Sequence, residues 1–171
     1  MSPAAPGPDP PGPDGPPLAA WRLSKARYAA TALSGTGSAL RAGRWHARGR
    51  PVVYAASSAA LALLETLVHV DRVELLRADY VAVPLGVPAG LVERLAPGDL
   101  PADWQAWPHP ASTRALGTAW FDERRSAALV VPSVVVPHEW NVLLNPTHPD
   151  FRHVGVGDPE PFPVDARLAR R

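Results

Sequence analysis

Two groups of side chains have the types and spacing to do chemistry. Between Trp21 and Tyr54 the chain carries Arg22, Lys25, Arg27, Arg41, Arg44, Arg48 and Arg50, while no acidic residue lies between Asp14 and Glu65. Arginine suits bidentate contact with phosphate, so this segment can hold a phosphate-bearing small ligand or a nucleic-acid backbone. Read as a charge run, it is equally a solvated basic loop. The second group centres on Glu65. The stretch Ser58–Val70, SAALALLETLVHV, is apolar or small around most of its circumference, and Ser58 stands where a helix N-cap belongs. At about 100° per residue, Ser58, Glu65 and His69 project in nearly one direction, with Ala62 between them. This polar stripe either faces water or lines a cleft. In a cleft, partial desolvation and nearby arginines would set the protonation of Glu65, which makes it the candidate catalytic carboxylate.

Other sites are excluded by their spacing. His138-Glu139 opens an H-E-x-x-H pattern, but Val142 stands where the second histidine is needed. The six histidines are scattered with no pair at ligand spacing, so no metal is expected. Ser34–Leu40 does not complete G-x-G-x-x-G, which removes a Rossmann phosphate loop. Ser133 lies outside any G-x-S-x-G elbow, and a serine after proline at a strand end reads as a turn residue. The absence of cysteine rules out a disulfide framework and a thiol nucleophile.

The elements that must position these residues are short. Strands are expected near Trp21–Leu23, Val52–Ala56, Tyr80–Leu85 and Leu129–Val131, with a weaker one near His153–Val156; helices are expected at Ser58–Val70 and Ser112–Arg124. The mixture lacks regular β-α-β alternation, so the expected class is α+β. Residues 1–18 are mostly Pro, Gly, Ala and Asp and read as a disordered tail, leaving one domain at 19–171. A chain of 171 residues with formal net charge +1 fits one ordinary domain. With no apolar run long enough to span a bilayer and no signal-like N-terminus, a soluble cytoplasmic protein is expected, without a membrane.

Taken in order, several segments resemble the RES-domain toxin family. They are Trp21-Arg22, Gly43-Arg44-Trp45, Val52-Val53-Tyr54-Ala55 and Ala62-Leu63-Leu64-Glu65, followed by Gly117 to Trp120, Val131-Pro132-Ser133, Glu139 to Asn141, Leu144-Asn145-Pro146, His148-Pro149-Asp150-Phe151 and Asp165-Ala166-Arg167-Leu168. Arg44, Glu65 and Ser133 look like the arginine, glutamate and serine for which the family is named. The chain departs from the family pattern in having Ala42-Gly43 where a double glycine is common, and His46 where asparagine is common. The resemblance implies an ADP-ribosyltransferase-like fold related to diphtheria-type toxins. It also implies that NAD⁺ is degraded by hydrolysis or phosphorolysis, as a consumed substrate rather than a cofactor; some relatives modify a protein instead. Its implied partners are a helix-turn-helix antitoxin covering the NAD⁺ pocket and a second toxin copy, as a homodimer within a larger toxin–antitoxin complex of bacterial origin.

On that reading Glu65 stabilises the oxocarbenium-like centre formed when the nicotinamide–ribose bond breaks. Arg22 and Arg44 hold the pyrophosphate or ribose side, with Arg27 a weaker candidate and His69 on the same stripe as Glu65. Tyr54, ending an apolar strand, either stacks on nicotinamide or is ordinary core. Ser133 hydrogen-bonds the ligand or orients Glu65. Two other functions stay open: an ADP-ribosyltransferase acting on a macromolecule, and a non-enzymatic nucleic-acid-binding module using the basic segment, although direct nucleic-acid binding is not expected.

Overall fold

The computed structural model describes residues 14–70 and 79–169. Eight strands form one sheet: β1 (Leu18–Lys25), β2 (Val53–Ala56), β3 (Tyr80–Val87), β4 (Val92–Arg94), β5 (Ala128–Pro132), β6 (Trp140–Leu144), β7 (Gly155–Val156) and β8 (Glu160–Phe162). Their order is β4-β5-β6-β2-β1-β3-β7, with β8 also paired to β3. Every pairing is antiparallel except β4 with β5. Among the described residues three α-helices pack on this sheet or join it: α1 (Thr36–Ala39), α2 (Ala59–Leu67) and α3 (Ala111–Asp122). The α+β class expected from the mixed pattern is the one adopted.

The alternation of side chains along each strand divides the core. In β5 and β6, Ala128, Val130, Val142 and Leu144 turn to one face, where they meet Val53, Ala55, Val83 and Leu85. Leu129, Val131 and Leu143 turn to the other, beneath Trp120 and Phe121 of α3 and Trp45. A third cluster packs Leu61 and Ala62 of α2 against Leu23, Ala56 and Ala82. The approach of α3 to the loop after α1 requires Gly117, since a Cβ there would lie 1.9 Å from the carbonyl oxygen of Trp45. Gly35, with φ +65, sits against the Pro51 carbonyl in the same way and supplies a left-handed turn.

Most expected elements are present with shifted ends. Ser58 is the N-cap of α2, its Oγ accepting from the Leu61 amide at 3.0 Å, but the helix stops at Leu67 and His69 lies in the turn beyond it. The weak strand expected at His153–Val156 shrinks to Gly155–Val156, because Pro149–His153 winds into a 3-10 turn capped by the His148 ring. Strands β4, β6 and β8 were not anticipated. In β6, both neighbours and both faces are covered, so Val142, Leu143 and Leu144 read as an unbroken apolar run without the period of two. Leu18 is buried and opens β1, so the folded unit includes it, one residue ahead of the expected boundary. The rest of the expected tail falls mainly outside the described residues.

Candidate functional site

Strand β2 runs directly into Ser57, Ser58 and α2, and this short connection lays the helix over the end of the sheet. Register then decides what Glu65 meets. Asn141 of β6 lies between Ala56 of β2 and Val131 of β5, and its Nδ2 donates to Glu65 Oε1 at 2.6 Å. Ser133, just past β5 and 4% exposed, donates its Oγ proton to the same oxygen at 2.8 Å. The Ser133 oxygen also accepts from the amides of Val135 and Val136, both at 3.0 Å. Ser133 is therefore a turn residue and an anchor of Glu65 at once. A further clamp joins the helix start to the sheet: Ser58 Oγ donates to Glu139 Oε2 at 2.8 Å, next to the first residue of β6. Among the described residues no hydrogen bond reaches Glu65 Oε2.

That carboxylate lines a cavity of about 770 Å³, which also takes in Arg22, Arg44, Tyr54, His69 and Asn141. Ser133 does not line it and lies behind Glu65. Arg22 reaches across from β1 and donates through Nη1 to the Tyr54 carbonyl at 2.8 Å, while its buried Nε has no hydrogen-bond partner among the described residues. Burial pulls the Arg22 guanidinium below its ordinary pKa, yet an arginine stays charged at any physiological pH. Arg44 is lowered by burial too, with the negative charge of Glu65 opposing that shift. Its Nη1 is spent on the carbonyl oxygens of Trp104 and, at 3.1 Å, Ala106. His69 stands exposed on the cavity rim.

Tyr54 presents its ring to the cavity while its hydroxyl lies 2.8 Å from His46 Nδ1. His46 Nε2 faces the carbonyls of Ser38 and Arg41, each at 3.0 Å. Carbonyls only accept, so in the neutral ring Nε2 carries the proton and Nδ1 accepts from the tyrosine. Burial raises the Tyr54 phenol well above its ordinary pKa, keeping it a neutral donor. Gly43 permits this packing, since a Cβ there would stand 2.6 Å from the His46 ring and 2.9 Å from the Tyr54 hydroxyl.

Six of the seven residues singled out from sequence gather here: Glu65, Arg44, Arg22, Tyr54 and His69 on the cavity and Ser133 behind it. Arg27 does not. It is exposed, with its guanidinium 4.9 Å from the Tyr28 ring centroid, and contributes nothing to the cavity wall. The basic segment is likewise divided, because Arg50 forms a two-pronged pair with Asp122, Nε to Oδ1 at 3.0 Å and Nη2 to Oδ2 at 2.7 Å. Sequence reasoning missed Asn141, Glu139 and His46 as site residues. Nothing about an asparagine opening an apolar strand marks it as a carboxylate anchor. The sole signal was the family-like pattern at Glu139 to Asn141. Among the described residues no three His, Asp or Glu side chains cluster to hold a metal, and no helix is long and apolar enough to cross a membrane.

Known proteins share this arrangement of sequence and fold. The RES domain model matches residues 19–165. Toxin Res of Photorhabdus laumondii subsp. laumondii is 42% identical over 151 residues, covering 88% of this chain and 96% of that protein. The Prs ADP-ribosylating toxin of a Sphingobium species is 40% identical over 156 residues, with the same 88% and 96% coverage. In three dimensions the chain is similar to one in the crystal structure of the M. tuberculosis MbcT–MbcA toxin–antitoxin complex, with TM-score 0.69 and 19% identity over 90% of this chain and 87% of that one. The fold is accordingly the α+β, ADP-ribosyltransferase-like one, and a match along almost the whole domain, joined to relatives at 40% identity and above, establishes that the chain belongs to the RES domain family of toxins.

Proposed function

We propose that this protein is a toxin that consumes NAD⁺ by breaking the bond between nicotinamide and ribose. The observation that carries this reading is the pinning of one Glu65 oxygen by Ser133 and Asn141 inside a cavity that also holds two arginines. Asn141 sits on β6 and Ser133 in the turn just past β5, so the carboxylate is held without having to reorganise during reaction. Breaking the glycosidic bond leaves positive charge on the ribose, and the unengaged Glu65 oxygen stabilises it while accepting from a ribose hydroxyl. Nicotinamide departs as a neutral molecule, which removes the need for a strong general acid. Arg22 and Arg44 supply positive charge for the pyrophosphate, and the Tyr54 ring offers a flat apolar face. Ser133 acts through Glu65 as a positioning residue.

The electron pair of the breaking bond leaves with nicotinamide, and an oxygen of water or inorganic phosphate bonds to the ribose carbon and releases its proton to solvent, giving ADP-ribose or its 1″-phosphate. Purified protein incubated with NAD⁺ should release free nicotinamide in step with one of these two products, and their ratio as phosphate is varied identifies the acceptor. Absence of nicotinamide release from folded protein would remove the proposal.

A second reading has its own support, since the 40% identical Sphingobium relative bears the name ADP-ribosylating toxin. In that case a macromolecular side chain replaces water as acceptor. Transfer of label from adenylate-labelled NAD⁺ onto protein separates the two. The structural neighbour comes from a toxin–antitoxin complex, which supports a protein antitoxin for this chain also. Such an antitoxin, of helix-turn-helix type, would cover the cavity of a toxin acting in the cytoplasm, with homodimeric toxin inside the larger complex.

A further inference from the structure

The segment between Pro101 and Pro110 has no regular secondary structure, yet it is firmly held. Arg44 donates to the carbonyls of Trp104 and Ala106, Arg114 Nη2 to that of His109 at 3.3 Å, and Ser112 Oγ to Asp103 Oδ1 at 2.6 Å. Alternate residues of this strap, Gln105, Trp107 and His109, line the same cavity as Glu65. Trp107 is 75% exposed, an unusual state for a tryptophan in a segment fixed by three side chains. Among the described residues its one ring contact is with His109, edge to face at 4.6 Å between centroids. The other exposed aromatic ring on the rim, Tyr28, already has Arg27 over it.

We propose that Trp107 is the stacking platform for the adenine ring of the dinucleotide, with Arg44 as the residue that positions it. The assignment of ends follows from depth. Glu65 is pinned from behind by a buried serine, so the ribose that reacts belongs at the inner end. Trp107 stands at the solvent edge, and Arg44, close enough to Glu65 to feel its charge, joins the two. A dinucleotide with its phosphates beside the arginines then sets its second base at the mouth, where the exposed indole stands with only the His109 ring against it among the described residues. Stacking of a base on an aromatic ring is sequence-tolerant and needs no hydrogen bond, which suits a wide, solvent-open edge.

This inference rests on reading the cavity as a site for NAD⁺, and the two can fail separately. The experiment compares wild type with Trp107→Ala and Trp107→Phe, measuring calorimetric binding of AMP and of nicotinamide mononucleotide together with nicotinamide release from NAD⁺. Trp107→Ala should weaken AMP binding and raise the KM for NAD⁺ by roughly tenfold or more. Nicotinamide mononucleotide binding and kcat at saturation should stay within about twofold, and Trp107→Phe should recover most of the loss. The side chain is exposed, so unchanged thermal unfolding is expected of both variants. Equal AMP affinity in wild type and Trp107→Ala, with normal NAD⁺ turnover, overturns the platform and leaves the proposed reaction standing. Trp107-dependent AMP binding without any nicotinamide release removes the reaction and keeps the platform.

Discussion

Ser133 Oγ and Glu65 Oε1, 68 residues apart in sequence, lie 2.8 Å apart at the back of the cavity. The same carboxylate oxygen takes a second hydrogen bond from Asn141. One oxygen is thereby held, and among the described residues the other takes no hydrogen bond.

If the charge on Glu65 does the chemistry, Glu65→Gln should lower kcat for nicotinamide release by roughly a hundredfold or more, about 3 kcal/mol in the barrier, with NAD⁺ affinity much less affected. Thermal unfolding should shift little, because Glu65 is only half-buried and its amide replacement retains most of the volume. A folded variant that releases nicotinamide at a near-normal rate would take Glu65 out of the mechanism.

Ser133→Ala removes one of the two anchors and also leaves the amides of Val135 and Val136 without their acceptor. Unfolding stability should fall by about 1–3 kcal/mol. The catalytic loss should be smaller than for Glu65→Gln and should appear in kcat. In Glu65→Gln, adding Ser133→Ala should cost little further activity, since a positioning residue has nothing left to position. A full additive loss in the double variant would place Ser133 in contact with substrate instead.

Arg44→Lys keeps the charge but cannot present a planar fork to two carbonyls and a phosphate together. It should raise the KM for NAD⁺ severalfold, whereas Arg50→Lys, which only alters an exposed pair with Asp122, should leave KM unchanged. Equal and negligible effects in steady-state kinetics would detach Arg44 from the site.

Gly117→Ala would drive a methyl group into the Trp45 carbonyl. The backbone must move apart there, so stability should drop by about 3 kcal/mol, and the displacement of Trp45 should carry Arg44 with it. Denaturant unfolding and the KM for NAD⁺ measure the two consequences in one variant.

His109 has its pKa lowered by burial first, and then by the charges of Arg44, His69 and Arg114. The unfolded chain therefore takes up a proton near pH 6.5 that the folded chain refuses until lower pH. Stability contributed by neutral His109 is complete above about pH 6.5 and is lost as pH falls towards the folded value. Replacing it, as in His109→Gln, should flatten the acid limb of stability measured by urea unfolding between pH 5 and 7.5. An unchanged slope would count against this placement of the ring.

Local sequence determined those features that depend on neighbours along the chain. Ser58 caps α2 because a serine precedes an unbroken run of good helix formers, and the side of α2 that carries Glu65 follows from helical geometry alone. The pattern around β5 placed a strand there, and the order of short matching segments identified the family. Tertiary structure alone decided what that face meets. Asn141 reaches Glu65 only because β6 pairs with β2 and β5 in one register, and a slip of one residue would turn its side chain to the opposite face. The separation of Arg27 from Arg22, and the use of Arg44 to hold the strap at Trp104 and Ala106, are equally invisible locally. Hydrogen bonds spanning 60 to 76 residues depend on how elements close in space, and residue type along the chain carries no record of that distance.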